Sequence, residues 1–193
     1  MPWLIDELQG RGAAPVDTSY LEPANVSDRL SSPLFVPDPS VWPIKLVQNS
    51  AHKSRPDYFA GPMTGTIIVS RHFRDLLEAF EKDVHVFIPA VFRLPDGTEL
   101  SDEYFVFKCG QNVKGGLSEE NSEIRRRVIG GKDRGYGVLS MTPRLTWNQK
   151  AIEGLHLWTD IDLPRAITVS DAFYDRLKNS AKTAFLAMES RTL

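Results

Sequence analysis

The chain has 193 residues, 41% of them hydrophobic and 25% charged, enough to bury a core and ordinary for a globular protein. A formal net charge of −2 gives no footing for non-specific nucleic-acid binding, and a single cysteine, Cys109, excludes an intramolecular disulfide and a cysteine-built zinc site. The opening MPWLIDELQGRG lacks the basic and apolar regions of a signal peptide, and the longest apolar stretch, 84–92, is too short to span a bilayer, so a cytoplasmic protein is expected.

Residues 1–65 hold nine of the 13 prolines. Proline lacks the N–H and resists helix interiors, so long regular elements are not expected there. Trp3, Leu4, Tyr20, Phe35, Trp42, Ile44, Leu46, Tyr58 and Phe59 are nevertheless too many apolar anchors for a free linker. The segment reads as an arm of short strands and turns packed on a core formed by 66–193. Its best strand is 42–47 (WPIKLV), placed at a sheet edge by Pro43.

From residue 66 the pattern tightens. A β-branched run, 66–69, ends at Ser70, whose hydroxyl can cap a helix carrying Phe73, Leu76, Leu77 and Phe80 on one stripe. The run 84–92 is nearly all apolar, as in a strand covered on both faces. Turn chemistry at 94–98 (LPDGT) precedes 104–109 (YFVFKC), so 84–109 reads as a β-hairpin. The segment 66–88 then recurs at 166–188, with seven identities at an offset of 100 positions: Ile67/Ile167, Val69/Val169, Ser70/Ser170, Phe73/Phe173, Asp75/Asp175, Leu77/Leu177 and Lys82/Lys182. Ser170 is the second expected cap, and 183–188 the second closing strand.

Between the copies, 110–150 is less regular. Ser118 can cap a helix from 119 to 129 with Glu119, Glu120 and Glu123 early and Arg125, Arg126 and Arg127 late, ended by Gly130-Gly131; a charged loop is an equal alternative. Strands are expected at 136–141 and 155–158. The whole reads as α+β: a mainly antiparallel or mixed sheet with two short helices in duplicated strand–Ser-cap–helix–strand units, plus the proline-rich arm.

Catalytic spacing is missing. His52, His72, His85 and His156 form no HExxH, HxH or HxxxH arrangement. His85 and His156 lie in apolar strands and read as hydrogen-bonded structural residues, and His72 as solvated. Cys109, with His85 as base, would make a hydrolase or transferase only in an electropositive setting, which the sequence does not supply. Gly115-Gly116 and Gly130-Gly131 match no phosphate-loop pattern, and no G-x-S-x-G elbow exists. No cofactor and no metal is expected. What remains is a binding protein whose candidate partner-binding residues are Glu119, Glu120, Glu123, Arg125, Arg126, Arg127 and Arg134. An adaptor engaging nucleic acid through Arg125–Arg127, Lys132 and Arg134 is a weaker alternative, because glutamates share the segment.

The order of motifs carries a resemblance. It runs from the proline- and tryptophan-bearing arm to I-x-V-S-x-x-F-x-x-L-L at 67–77 and F-x-P at 87–89. It continues with Y-F-V-F at 104–107 and V-S-x-x-F-x-x-x-L at 169–177. This resembles the bacterial immunity proteins of polymorphic toxin systems, first typed on a myxobacterial protein and formerly a domain of unknown function, over roughly residues 40–190. The resemblance implies a small α+β protein, without catalytic residues of its own, that binds and neutralises a cognate secreted toxin by occluding its active region.

Overall fold

The computed structural model describes residues 1–6, 18–22, 29–30, 32, 35–49, 56–62, 66–140, 142–180 and 186–193. In chain order the strands begin with β1 (Trp3–Asp6), β2 (Thr18–Glu22), β3 (Ile44–Gln48), β4 (Tyr58–Ala60), β5 (Ile67–Ser70), β6 (Val86–Arg93), β7 (Glu99–Lys108) and β8 (Asn112–Val113). They continue with β9 (Ile124–Ile129), β10 (Lys132–Val138), β11 (Thr146–Trp147), β12 (Leu157–Asp160), β13 (Leu163–Val169), β14 (Leu186–Glu189) and β15 (Arg191–Thr192). Helices α1 (Arg71–Glu78), α2 (Gln149–Ile152) and α3 (Asp171–Ser180) are all short. The architecture is α+β. The one-turn helix α2, capped by Asn148 Oδ1 on the Lys150 N–H at 3.1 Å, was not among the elements expected. His52, Lys182, the last residue of the expected 136–141 strand and 183–185 of the expected 183–188 strand lie outside the described residues, while 186–188 fall in β14.

The chain divides into two units: Met1–Asp6 with Cys109–Lys178 and Leu186–Leu193, and Glu7–Lys108 with Asn179–Phe185. The latter holds a six-stranded sheet in the order β2-β3-β6-β7-β5-β4, antiparallel except for β3 and β6. The expected edge position of the 42–47 strand is therefore corrected: β3 lies between β2 and β6, and Pro43 precedes the strand, where its missing N–H costs no ladder bond. Burial on both faces also falls elsewhere than expected. β6 alternates, because Pro89 and its odd-numbered neighbours are only half-buried. The consecutive residues Tyr104 to Lys108 of β7 are the ones buried throughout. On one side Tyr104 and Val106 join Phe59, Ile68, Ile88 and Phe92 in the core; on the other, the Phe107 ring meets Phe73 of α1 edge-on at 6.2 Å. Lys108, 4% exposed, donates to the carbonyls of Leu30 and Ser32, and its burial lowers the ammonium pKa to about 8.

The other unit is built on a five-stranded sheet in the order β14-β1-β13-β12-β8, antiparallel except for β12 and β8. Its core gathers Leu4, Leu117, Ile124, Leu145, Trp147, Trp158 and Leu163, with the rings of Trp147 and Trp158 in edge-on contact at 5.6 Å.

One arrangement occurs in both units. In each, a strand ends at a serine, a helix follows, and the chain returns parallel to that strand with one antiparallel strand between them: β5-α1-β6 around β7, and β13-α3-β14 around β1. The registers agree at the 100-residue offset. Phe107 pairs with both Ile67 and Phe87, and Ile5 with both Ile167 and Ala187. Val106 pairs with Ile68 and Ile88, and Leu4 with Thr168 and Met188.

The helix starts match as well. Ser70 Oγ accepts the Phe73 N–H at 3.1 Å and Ser170 Oγ accepts the Phe173 N–H at 3.3 Å, each satisfying a donor that the first turn leaves without an intrahelical partner. The Ser70 N–H donates to the Asp57 carbonyl at 2.9 Å and the Ser170 N–H to that of His156 at 3.0 Å. Each hydroxyl also meets the side chain of that same neighbour, Asp57 Oδ1 at 2.5 Å or His156 Nδ1 at 3.0 Å. Phe73, Leu77, Phe173 and Leu177 are all fully buried, one helical turn apart within each pair.

Candidate partner-binding surface

The segment 119–138 forms neither the helix nor the loop expected of its first half. β9 and β10 make a two-stranded antiparallel hairpin turning at Gly130 and Gly131, whose φ angles are +58° and +73°. Two successive left-handed residues make the tight turn that matches strand twist, and glycine reaches that conformation without a Cβ clash. The sequence signal was therefore Gly-Gly between β-branched Val128-Ile129 and a returning strand, read instead as a helix stop. A helical pattern from 119 to 129 would also need an apolar stripe, and Ile124, Val128 and Ile129 supply only a fragment of one.

One face of the hairpin is docked. Gly135, at φ +72°, forms a bulge opposite Arg127, and a Cβ there would lie 2.3 Å from the Asp162 carbonyl oxygen. That carbonyl accepts the Tyr136 N–H at 2.7 Å. Asp162 is itself held by Asp160, a fully buried carboxylate that accepts the N–H groups of Gly116, Leu117 and Asp162. On this face Arg126 donates to Asp133 at 2.8 Å and to the Tyr136 hydroxyl at 2.7 Å, and stacks over the Tyr136 ring at 4.4 Å. It lies within ion-pair distance of Asp162 and Glu119, at 3.5 and 3.9 Å. The Asp133 hydrogen bond is the chief cause holding Arg126 above its ordinary pKa. Asp133 is held below the usual carboxylate range, first by the Gly135 N–H and then by Arg126. Glu123 is lowered likewise by the Arg144 N–H and guanidinium, which reach it at 3.0 and 2.9 Å.

The expected partner-binding residues thus separate into two groups. Glu119, Glu123 and Arg126 are engaged within the fold. Glu120, Arg125, Arg127 and Arg134 are exposed, and among the described residues their side chains make no ion pair or hydrogen bond. Arg125 and Arg127 share the face opposite Arg126, since side chains alternate along a strand. Arg127 lies along Gly137, where an added Cβ would stand 2.8 Å from its Cδ. Exposed apolar residues that the sequence reading passed over frame them: Val128 at 64%, Ile129 at 55%, and also Val138 and Leu139.

The residues considered for catalysis lie in structural settings. The His85 ring is buried and bonded to Glu81 at 2.7 Å, and His156 to Ser170. His72, expected to be solvated, is half-buried and donates from Nε2 to the Ser180 carbonyl at 3.0 Å. The Cys109 thiol faces the carbonyl oxygens of Gln111 and Leu157 at 3.3 and 4.0 Å, acceptors that favour thiol over thiolate. Among the described residues no group of three or more His, Cys, Asp or Glu side chains is placed to hold a metal ion, and no helix is long and apolar enough to cross a membrane.

No curated protein matches the chain. The model of the Immunity protein family (Imm11) matches residues 26–188, a span that takes in both serine-capped helices and the whole β9–β10 hairpin, and the chain belongs to that family.

Proposed function

We propose that this protein binds a cognate secreted toxin and neutralises it by covering the toxin's active region, acting in the cytoplasm as a binder without turnover. The family match over 26–188 carries the reading. Protection requires tight association, on the order of nanomolar or about −12 kcal/mol, and an interface of roughly 1,600 Å² anchored by arginine and aromatic residues. The segment 118–134, with Glu119, Glu120, Glu123, Arg125, Arg126, Arg127 and Arg134, is the proposed partner-binding region. The units at 66–88 and 166–188 are proposed to be a duplicated scaffold. The shared offset, register and serine environment support this, and it assigns Ser70 and Ser170 to stability and not to recognition.

The test is expression of the neighbouring toxin gene with and without this chain, followed by titration. Growth should fail without the chain and recover with it, and the purified proteins should form a complex that abolishes toxicity near equimolar ratio. Protection at a small fraction of the toxin concentration would indicate turnover, and a harmless neighbour would remove the reading.

A further inference from the structure

Resting on that reading, we infer that the outward face of the β9–β10 hairpin, built from Arg125, Arg127, Ile129 and Lys132, is the toxin-recognition surface and that it reads a carboxylate-rich patch on the toxin. The charge is concentrated there: 124–138 holds five basic side chains and one acidic in a chain whose net charge is −2. The one acidic residue, Asp133, is spent on Arg126, as are Asp162 and Glu119 beside it. Arg126 therefore acts as a brace, and the fold leaves Arg125, Arg127 and Lys132 without a counter-charge among the described residues.

Three like charges on one small ribbon repel one another in the free protein. An acidic partner relieves that repulsion and offers carboxylates that guanidinium forks bind in bidentate fashion. Preorganisation is already present. The docked face fixes the ribbon through Asp162, and Gly137 leaves room for the Arg127 stem to lie across it. Exposed Ile129 at the tip, on the same face, supplies apolar area next to the charges. β9 pairs only with β10 among the described strands, so its second edge also offers backbone groups to the partner.

The experiment measures binding of the purified product of the neighbouring toxin gene, in a catalytically inactivated form, to the full chain across a salt series. Wild type should bind in the nanomolar range with an on-rate that falls as salt rises. Arg125→Glu/Arg127→Glu should weaken binding by about 100-fold or more, mainly through the on-rate, with an unchanged melting temperature. Gly137→Ala, which displaces the Arg127 stem, should weaken it by about tenfold. Arg125→Lys/Arg127→Lys, which keeps charge and loses the fork, should fall between wild type and the glutamate pair. If wild type binds and the glutamate pair binds equally well, the toxin reading stands and this inference is overturned. If wild type does not bind the toxin, both fall. If wild type instead binds mixed-sequence DNA or RNA, and the glutamate pair loses that binding, the face is a nucleic-acid site and the inference is again overturned.

Discussion

The two serine-capped helices share a backbone and differ in their surroundings. Ser70 donates to a carboxylate, Asp57, that is 3% exposed, whereas Ser170 meets the half-buried imidazole of His156. The strand between the parallel pair is the ten-residue β7 in one unit and the four-residue β1 in the other. Beneath the helices, Arg74 lies over Phe105 at 4.6 Å, and at the matching positions Tyr174 stacks on Trp3 at 4.2 Å. The common parts are the hydroxyl on the N–H three residues ahead and a Phe/Leu pair one turn apart. The rest is interchangeable provided that the aromatic ring on the strand is covered from the helix and the hydroxyl has a second partner. Cap and apolar pair are short-range necessities; the neighbours are solutions found separately in each unit.

The severest test of that equivalence is truncation of the buried rings. Phe73→Ala and Phe173→Ala should each cost about 3–5 kcal/mol in chemical denaturation, since both side chains are wholly buried. Should one cost under about 1 kcal/mol while the other reaches that range, the two helices are not energetic equivalents.

Lys108 sharpens the contrast, because its register position in the other unit is taken by Asp6. With a native pKa near 8 against about 10.4 in the unfolded chain, the unfolded state holds the proton that the native state has released throughout that window. Stability from this group therefore rises with pH from about 8 to 10.4, by up to about 3 kcal/mol, and is flat below. Lys108→Met should remove that rise from the stability–pH curve. A rise equal to that of wild type would show that another group is responsible.

The smallest effects concern the caps. Ser170→Ala should cost about 1 kcal/mol, the usual worth of a lost N-cap. Ser70→Ala should cost more, about 2–3 kcal/mol, because it also strips a donor from a buried carboxylate. Equal losses in thermal or denaturant unfolding would mean that the Asp57 contact adds nothing. Neither substitution should change toxin affinity beyond its effect on folding.

Much of this scaffold was legible from residues alone. The 66–80 and 166–180 segments name their opening strands, caps and buried rings, because a serine, a Phe and a Leu at helical spacing settle matters within eight residues. The hairpin at 84–109 announced itself through LPDGT, where Asp96 Oδ1 accepts the Thr98 N–H at 2.8 Å. The arginine segment was misread because glutamates before arginines imitate helix-dipole order, while the decisive Gly130-Gly131 turn is equally plausible as a helix stop. The split among the candidate partner residues was invisible, since it depends on Asp162 and Arg144 arriving from elsewhere in the chain.

The amino-acid sequence by itself determined the local elements: two capped helices, their apolar faces and the positions where glycine permits a turn. It could not determine that β1, at the start of the chain, would fill in one unit the place that β7 fills in the other, a pairing that joins Leu4 to Thr168. Nor could it say that Arg126 would become a brace while Arg125 and Arg127 faced outward. Caps and turns are satisfied by neighbours a few bonds away, so their free energy is encoded locally. Strand partners and counter-charges are chosen only when distant segments compete for the same edge or the same carboxylate, and that competition is resolved in the folded structure.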